Sequence, residues 1–221
     1  MNLTEAAAAR HSVRQYESKP LGTDVINALN DEIEKCNREG GLHIQLVTNE
    51  TKAFEGTMAH YGKFSGVENY IALVGVKSPQ LEEKCGYYGE RLVLLAQQLG
   101  LNTCWVALTF TKVKGAYTLA KGEKLALVIS VGYGKTQGVQ HRSKSIDDVC
   151  KCSGEMPEWF RAGVEAALLA PTAMNQQKFT ITLEGDSATF AAGSGFYTKI
   201  DLGIVKYHFE LAAGNGSFKP L

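Results

Sequence analysis

The chain has 221 residues, 44% of them hydrophobic and 21% charged, with 23 basic and 23 acidic side chains. That length can bury a core as one domain or two small halves, and the composition is that of an ordinary globular protein. The charge balance excludes a general nucleic-acid or anionic-membrane binder, because both need a net basic surface.

No apolar run approaches the roughly 18 residues of a membrane span; the best is residues 92–96. The opening MNLTEAAAAR lacks the basic and apolar regions of a secretory signal, so a cytoplasmic protein is expected.

In chain order, Thr4 is expected to cap a short helix over residues 4–9. It delivers Arg10-His11-Ser12-Val13-Arg14, a run dense in anion donors. Arg is fixed in charge and holds a phosphate through two parallel hydrogen bonds, and Ser adds a neutral donor. In an extended segment the side chains of residues 10, 12 and 14 share one side, so three donors converge.

After the Lys19-Pro20-Leu21-Gly22 turn, Thr23 or Asp24 is expected to cap a helix through Asn37, with Val25, Ile26, Leu29 and Ile33 at helical spacing. Residues 42–48 alternate like a strand, and 70–76 form a short apolar run that reads as a buried strand. A helix over 88–99 carries Leu92, Leu95, Ala96 and Leu99 on one face, and Gly100 ends it. Strands are expected over 102–108 and 125–131. Gly132-Tyr133-Gly134 then breaks the chain, and a polar linker or cover loop runs to about residue 154.

A second block opens with a helix over 159–169, stopped at Pro171. The amide-rich loop 172–177 follows, then strands over 179–183 and 188–192 and a helix over 201–213 closed by Gly214. Asn and Gln each offer donor and acceptor and can read a uracil-like edge.

The blocks share an order, and Tyr88-Gly89-Glu90-Arg91-Leu92 matches Leu202-Gly203-Ile204-Val205-Lys206 in register. This reads as internal duplication, with a first half over 1–145 and a shorter second half over 146–221. The cysteines (Cys36, Cys85, Cys104, Cys150, Cys152) are odd in number and read as reduced thiols. Cys150-Lys151-Cys152 lacks CxxC spacing, and no metal site is expected. No Ser/His/Asp or paired-carboxylate arrangement stands out.

Four segments carry a family resemblance. Arg10-His11-Ser12-Val13-Arg14-Gln15-Tyr16 resembles the N-terminal RxSxRx(F/Y) motif of the FMN-dependent nitroreductase family. Leu169-Ala170-Pro171-Thr172-Ala173-Met174-Asn175-Gln176-Gln177 resembles its APSxxNxQPW segment. Leu95-Ala96-Gln97-Gln98-Leu99-Gly100-Leu101-Asn102-Thr103-Cys104-Trp105 is similar to its LAAxxLGLGTCW stretch. Val131-Gly132-Tyr133-Gly134 with Arg142-Ser143-Lys144-Ser145-Ile146-Asp147-Asp148-Val149 is similar to its GYP…RxPLEEV stretch. One departure is that the amide loop stands in the second block, not soon after the N-terminal motif. Another is that Lys178-Phe179 replaces the Pro-Trp.

The resemblance implies an α+β protein, a nitroreductase-like three-layer α/β/α sandwich with a mixed, mainly antiparallel sheet. It implies two related half-copies forming a pseudo-dimer, similar to the divergent tandem-repeat nitroreductase group. One chain would then complete a flavin site as a monomeric pseudo-dimer, or two chains would each lend a half-site as a homodimer. By the same resemblance Arg10 and Ser12 hold the FMN phosphate, His11 the phosphate or ribityl chain, and Arg14 the pyrimidine edge. Arg142 and Lys144 reach the phosphate's far side. Pro171, Thr172, Ala173, Asn175 and Gln177 line the flavin. No side chain is implied as catalytic, because the flavin does the chemistry.

The implied activity passes hydride from NADH or NADPH through FMN to a nitroaromatic, quinone or similar small acceptor. The alternatives are a non-catalytic flavin store or sensor on the same fold, and a scaffold that binds no flavin.

Overall fold

Asn2 opens the first helix, α1 (Leu3–Ala9), in a computed structural model that describes residues 1–214, 217 and 218. Its side chain accepts from the Glu5 backbone N–H at 2.8 Å, and Glu5 accepts from the Asn2 N–H at 2.9 Å. This reciprocal box caps the helix two residues earlier than the expected Thr4.

Helix α2 (Thr23–Gly40) starts from Gly22 with no side-chain cap, so neither Thr23 nor Asp24 takes that role. It buries Leu29, Ile33, Cys36 and Gly40, one stripe at helical spacing. Gly41 ends it in the left-handed region at φ 61°, its N–H bonded to the Asn37 carbonyl. The Asn37 side chain also exchanges two hydrogen bonds with the Ile44 backbone, at 2.6 and 3.0 Å. Residue 44 is thereby tied to the helix end, and β1 is only Gln45–Val47.

A 3-10 turn (Lys52–Phe54) and helix α3 (Thr57–Tyr61) precede β2 (Tyr70–Val76), whose bounds match the expected strand. All of β2 except Val76 is buried, as its continuous apolar sequence requires. Helix α4 (Leu81–Gln98) begins seven residues earlier than its apolar spacing indicates. Then come β3 (Asn102–Val106) and β4 (Glu123–Gly132). The polar segment holds α5 (Ile146–Val149), closed by a Ser145–Asp148 capping box, and β5 (Cys150–Lys151). The remaining elements are α6 (Glu158–Ala167), β6 (Phe179–Glu184), β7 (Ser187–Ala192), α7 (Thr198–Ala213) and β8 (Ser217–Phe218).

The chain divides into two compact units. One is Arg10–Leu81 with Leu92–Gln140; the other is Met1–Ala9, Glu82–Arg91 and His141–Leu221. The expected halves 1–145 and 146–221 are drawn along the sequence, whereas these units are spatial.

The first unit is built on an antiparallel sheet in the order β1-β2-β4-β3. Tyr16, Phe54, Phe64, Tyr70, Val106 and Val128 belong to its core. The Phe54 ring stands 5.2 Å from Phe64 and 6.0 Å from Tyr70, both tilted as aromatic quadrupoles favour. The second unit is built on a mixed sheet, β5-β6-β7-β8, antiparallel only between β6 and β7. Helices α6 and α7 pack together there, and Phe160, Trp159 and Phe190 make edge contacts with Phe209.

Candidate functional site

The N-terminal basic run is extended, and main-chain bonds fix it on three sides. Ser12 bridges Thr103 in parallel, Gln15 bridges Ser65, and Tyr16 bridges Gly134. The Val13 N–H donates to the Thr103 carbonyl at 3.0 Å. Ser12 and Arg14 are exposed on either side of the buried Val13, as alternation requires, and the pattern ends there, since Gln15 is exposed and Tyr16 buried. Arg10 departs from that pattern and is only 4% exposed.

Cys104 of β3 senses the charge of the run. Burial pushes its thiol up, while the Arg14 guanidinium, a hydrogen bond with Ser12 and the Arg10 guanidinium pull it back. Ser12 thus reaches the sulfur, and the two guanidiniums add an electrostatic pull there. The Arg14 guanidinium also lies 5.9 Å from the Phe64 ring centroid, within cation–π range.

Tyr16 anchors the run from below. Its buried hydroxyl donates to the Val13 carbonyl at 2.7 Å and lies 2.9 Å from the Ser130 hydroxyl. Burial raises the phenol well above its ordinary range, so it stays a donor at any working pH. Tyr16→Phe leaves a buried carbonyl without its donor, and the expected cost is about 1–3 kcal/mol in urea unfolding.

A second segment crosses the run. The buried Asn102 side chain accepts from the Gly134 N–H at 3.0 Å and donates to Gln137 at 3.1 Å. Gly138, at φ 71°, comes so near the run that an added Cβ would sit 2.8 Å from the His11 Cβ and 3.0 Å from the Ser12 carbonyl. Only glycine meets both demands. Lys19 caps the same region, with its ammonium 3.9 Å from the Tyr133 ring centroid.

The amide loop belongs to the β5–β8 unit. Helix α6 stops before Pro171, and a 3-10 turn (Ala173–Asn175) follows. Met174, Asn175 and Gln177 all have positive φ, at 51°, 54° and 45°. Such positions cost about 1–3 kcal/mol each for non-glycine residues and persist only when the surroundings over-determine them.

The surroundings do so here. The Gln177 N–H donates to the Thr172 hydroxyl at 3.0 Å, and the Ala173 N–H donates to Asp201 Oδ1 at 2.9 Å. Gln176 Nε2 reaches Asp201 Oδ2 at 2.7 Å and the Phe196 carbonyl at 2.9 Å.

The structure also brings Arg142 and Lys144 to this loop through their backbones. The Arg142 carbonyl accepts from Asn175 Nδ2 at 2.9 Å and Gln177 Nε2 at 3.0 Å. The Lys144 N–H donates to Gln177 Oε1 at 2.8 Å, and its ammonium donates to the Gln177 carbonyl at 3.0 Å. The Gln177 amide is buried, with Nε2 also 2.9 Å from Asn175 Oδ1. Its polar atoms are thus spent on the loop itself. Arg142 keeps an exposed side chain, and Met174 at the tip is fully exposed.

The expected residues thus form two groupings, one per unit: Arg10, Ser12 and Arg14 around Cys104, and 142, 144 and 171–177 around the 3-10 turn. Residues outside the expected flavin-binding set hold them in place. Asn102 pins the crossing segment, Tyr16 the run and Asp201 the turn. A polar residue inside an apolar strand is the signal that Asn102 offered. Among the described residues no group of three or more His, Cys, Asp or Glu could hold a metal ion.

Comparison with known proteins follows this geometry. The family model described as "Putative TM nitroreductase" matches residues 2–213. Among solved structures, the chain is similar to a "putative nitroreductase" from Thermotoga maritima MSB8. The identity is 23% and the TM-score 0.65, over 96% of this chain and 83% of that one. It is also similar to a "putative nitroreductase in complex with FMN" from Desulfovibrio desulfuricans, with 11% identity and a TM-score of 0.54, over 67% of this chain and 95% of that one. At these identities the likeness is one of fold, α+β with mainly antiparallel strand pairing. No curated protein sequence matches the chain.

Proposed function

The chain belongs to the family described as "Putative TM nitroreductase", and from that premise we propose that it is an FMN-dependent oxidoreductase. Its reaction would take hydride from NADH or NADPH and deliver it to a nitroaromatic, quinone or similar small acceptor. The observation that carries the reading is the basic run itself, bridged at Ser12 to Thr103 next to Cys104, whose thiol Arg14, Ser12 and Arg10 all pull down. Two fixed cations and a hydroxyl suit a phosphate monoester dianion in charge and in donor number. A structural neighbour of the same fold is described in complex with FMN, which supports the same group.

When bound, the flavin supplies a ring that accepts and releases hydride, so the protein's part is binding, orientation and electrostatics. Arg10 and Ser12 would hold the phosphate, His11 the phosphate or ribityl chain, and Arg14 the pyrimidine edge as a fixed positive charge. Arg10 enters with little exposure, so its guanidinium acts where water screens it least. Pro171, Thr172 and Ala173 would flank the ring through the backbone of the 3-10 turn. Asn175 and Gln177 would act by holding that turn against residues 142–144. The exposed Arg142 and Lys144 side chains are proposed to add positive charge near the phosphate.

The test is an FMN titration followed by anaerobic reduction. Wild-type protein is expected to bind FMN and to bleach the flavin band with NADH or NADPH. Arg10→Ala and Arg14→Ala are each expected to weaken FMN binding about 30-fold or more, the effect of removing a charge-assisted contact worth about 2 kcal/mol. Unchanged affinity in both variants would remove these residues from the site. Tight binding without bleaching would select the flavin-store reading. Flavin per chain, read with the mass in solution, tells a one-chain site from a shared one.

A further inference from the structure

We propose that Asp201 is a positioning residue for the flavin-side loop: its carboxylate fixes the left-handed turn at 173–177 that the proposed site presents. The inference rests on the flavin reading for its purpose, not for its geometry. Asp201 lies in the first turn of α7, is only 3% exposed, and faces the loop rather than a basic partner. One carboxylate oxygen accepts from the Ala173 N–H at 2.9 Å, and the other accepts from Gln176 Nε2 at 2.7 Å. The two oxygens thus hold the first residue of the strained turn and the residue just after it. Between them lie Met174 and Asn175, both at positive φ. Backbone strain of this kind lasts only where something outside the turn holds both ends. The Gln176 amide extends the hold to the Phe196 carbonyl, two residues before α7. One residue therefore couples the turn to the start of the helix.

The state of the carboxyl fits this role. It is pushed up to about 6, first by burial, against the opposing hydrogen bonds from Ala173 and Gln176, and no charged side chain is among the causes. The sign of the linkage follows. The folded protein holds this proton more tightly than the unfolded chain, so stability is greatest below the ordinary carboxylate value near 3.8 and is lost as pH rises through about 6. At neutral pH the ionised group therefore costs stability while giving the turn two acceptors. A residue kept only for stability would not be charged there.

Asp201→Asn and Asp201→Ala, with wild type, test the proposal. In flavin-free protein the Ala173 amide and the Gln176 side-chain NH2 signals are followed by NMR between pH 4.5 and 8. In wild type both are expected to titrate with one midpoint near 6, and in Asp201→Asn both should be flat. At pH 7.5 Asp201→Asn is expected to melt no lower than wild type yet bind FMN about 10-fold more weakly. Asp201→Ala should bind FMN more weakly still. The phosphate of FMN ionises in the same pH range, so affinity is compared between variants at one pH and the titration is read without flavin. Two flat wild-type signals, or equal FMN affinity in wild type and Asp201→Asn, would overturn the proposal. A wild type that binds no FMN but shows both titrations would sink the flavin reading and leave Asp201 as the holder of the turn.

Discussion

Gly203→Ala is expected to lower the unfolding free energy by about 3 kcal/mol or more, seen as a lower urea midpoint at unchanged slope. An alanine Cβ at this site would stand 2.0 Å from the Glu83 carbonyl oxygen and 2.7 Å from the Tyr87 nitrogen. Both are backbone atoms inside α4, so neither can swing away as a side-chain tip would. The contact is reciprocal, since a Cβ at Gly86 would stand 2.0 Å from the Ile200 carbonyl oxygen in α7. The helices meet backbone to backbone at this pair of glycines. Alanine has the better helix propensity, worth about 1 kcal/mol in a free helix interior, but the close approach outweighs it. A variant as stable as wild type would mean that α4 and α7 do not touch there.

That crossing also shows why part of the fold was legible in the sequence and part was not. The apolar run at 70–76 announces a buried strand, because every residue of a central strand but the last can be apolar when both faces are covered. Leu29, Ile33 and Cys36 announce α2 by their spacing. The opening of α4 does so only thinly: in Leu81-Glu82-Glu83-Lys84-Cys85-Gly86-Tyr87 the buried Leu81 and Cys85 stand at helical spacing, but among three charges and a glycine. Its partner is α7, more than 100 residues away, and the feature that makes it a helix is a close approach that needs a missing side chain. The 3-10 turn Lys52–Phe54 and helix α3 were unread for a related reason. They are short, and Phe54 and Phe64 are placed by ring packing, not by period.

The candidate site divides in the same way. The composition of 10–14 names its donors, and strand alternation says that 12 and 14 face one way, as they do. Their place beside β3 depends on a parallel bridge between residues 12 and 103, which no local pattern encodes. At 171–177 the sequence names the amides but not their direction. Their polar atoms turn to the Arg142 carbonyl, the Lys144 N–H and Asp201, partners 25 to 35 positions distant. The positive φ values follow from those bonds and not from residue preference, since Met174 and Gln177 rarely adopt them.

His208→Leu is expected to cost about 3 kcal/mol of stability, because it leaves a buried carboxyl without its donor. The Glu90 and His208 side chains are both fully buried, with His208 Nε2 2.9 Å from Glu90 Oε1. His208 Nδ1 has no hydrogen-bond partner among the described residues, so the arrangement assigns the ring proton to Nε2, which donates to the carboxyl. Neighbouring polar contacts bind the same two helices: Tyr87 donates to Glu210 at 2.5 Å, and Lys206 pairs with Glu83. Those pairs are partly exposed to water and are worth less. The buried one dominates because the group left behind cannot be hydrated. Glu90→Gln, which keeps an acceptor for Nε2, is expected to cost only about 1 kcal/mol. Glu90→Met combined with His208→Leu should recover part of the loss, since the pair is then replaced by apolar groups on both sides. A double-mutant cycle by urea unfolding measures the coupling, which is expected to exceed about 2 kcal/mol. Additive effects would show that the two side chains are stabilised independently, and the pairing of α4 with α7 would then rest on the Gly86–Gly203 approach and the partly exposed polar pairs.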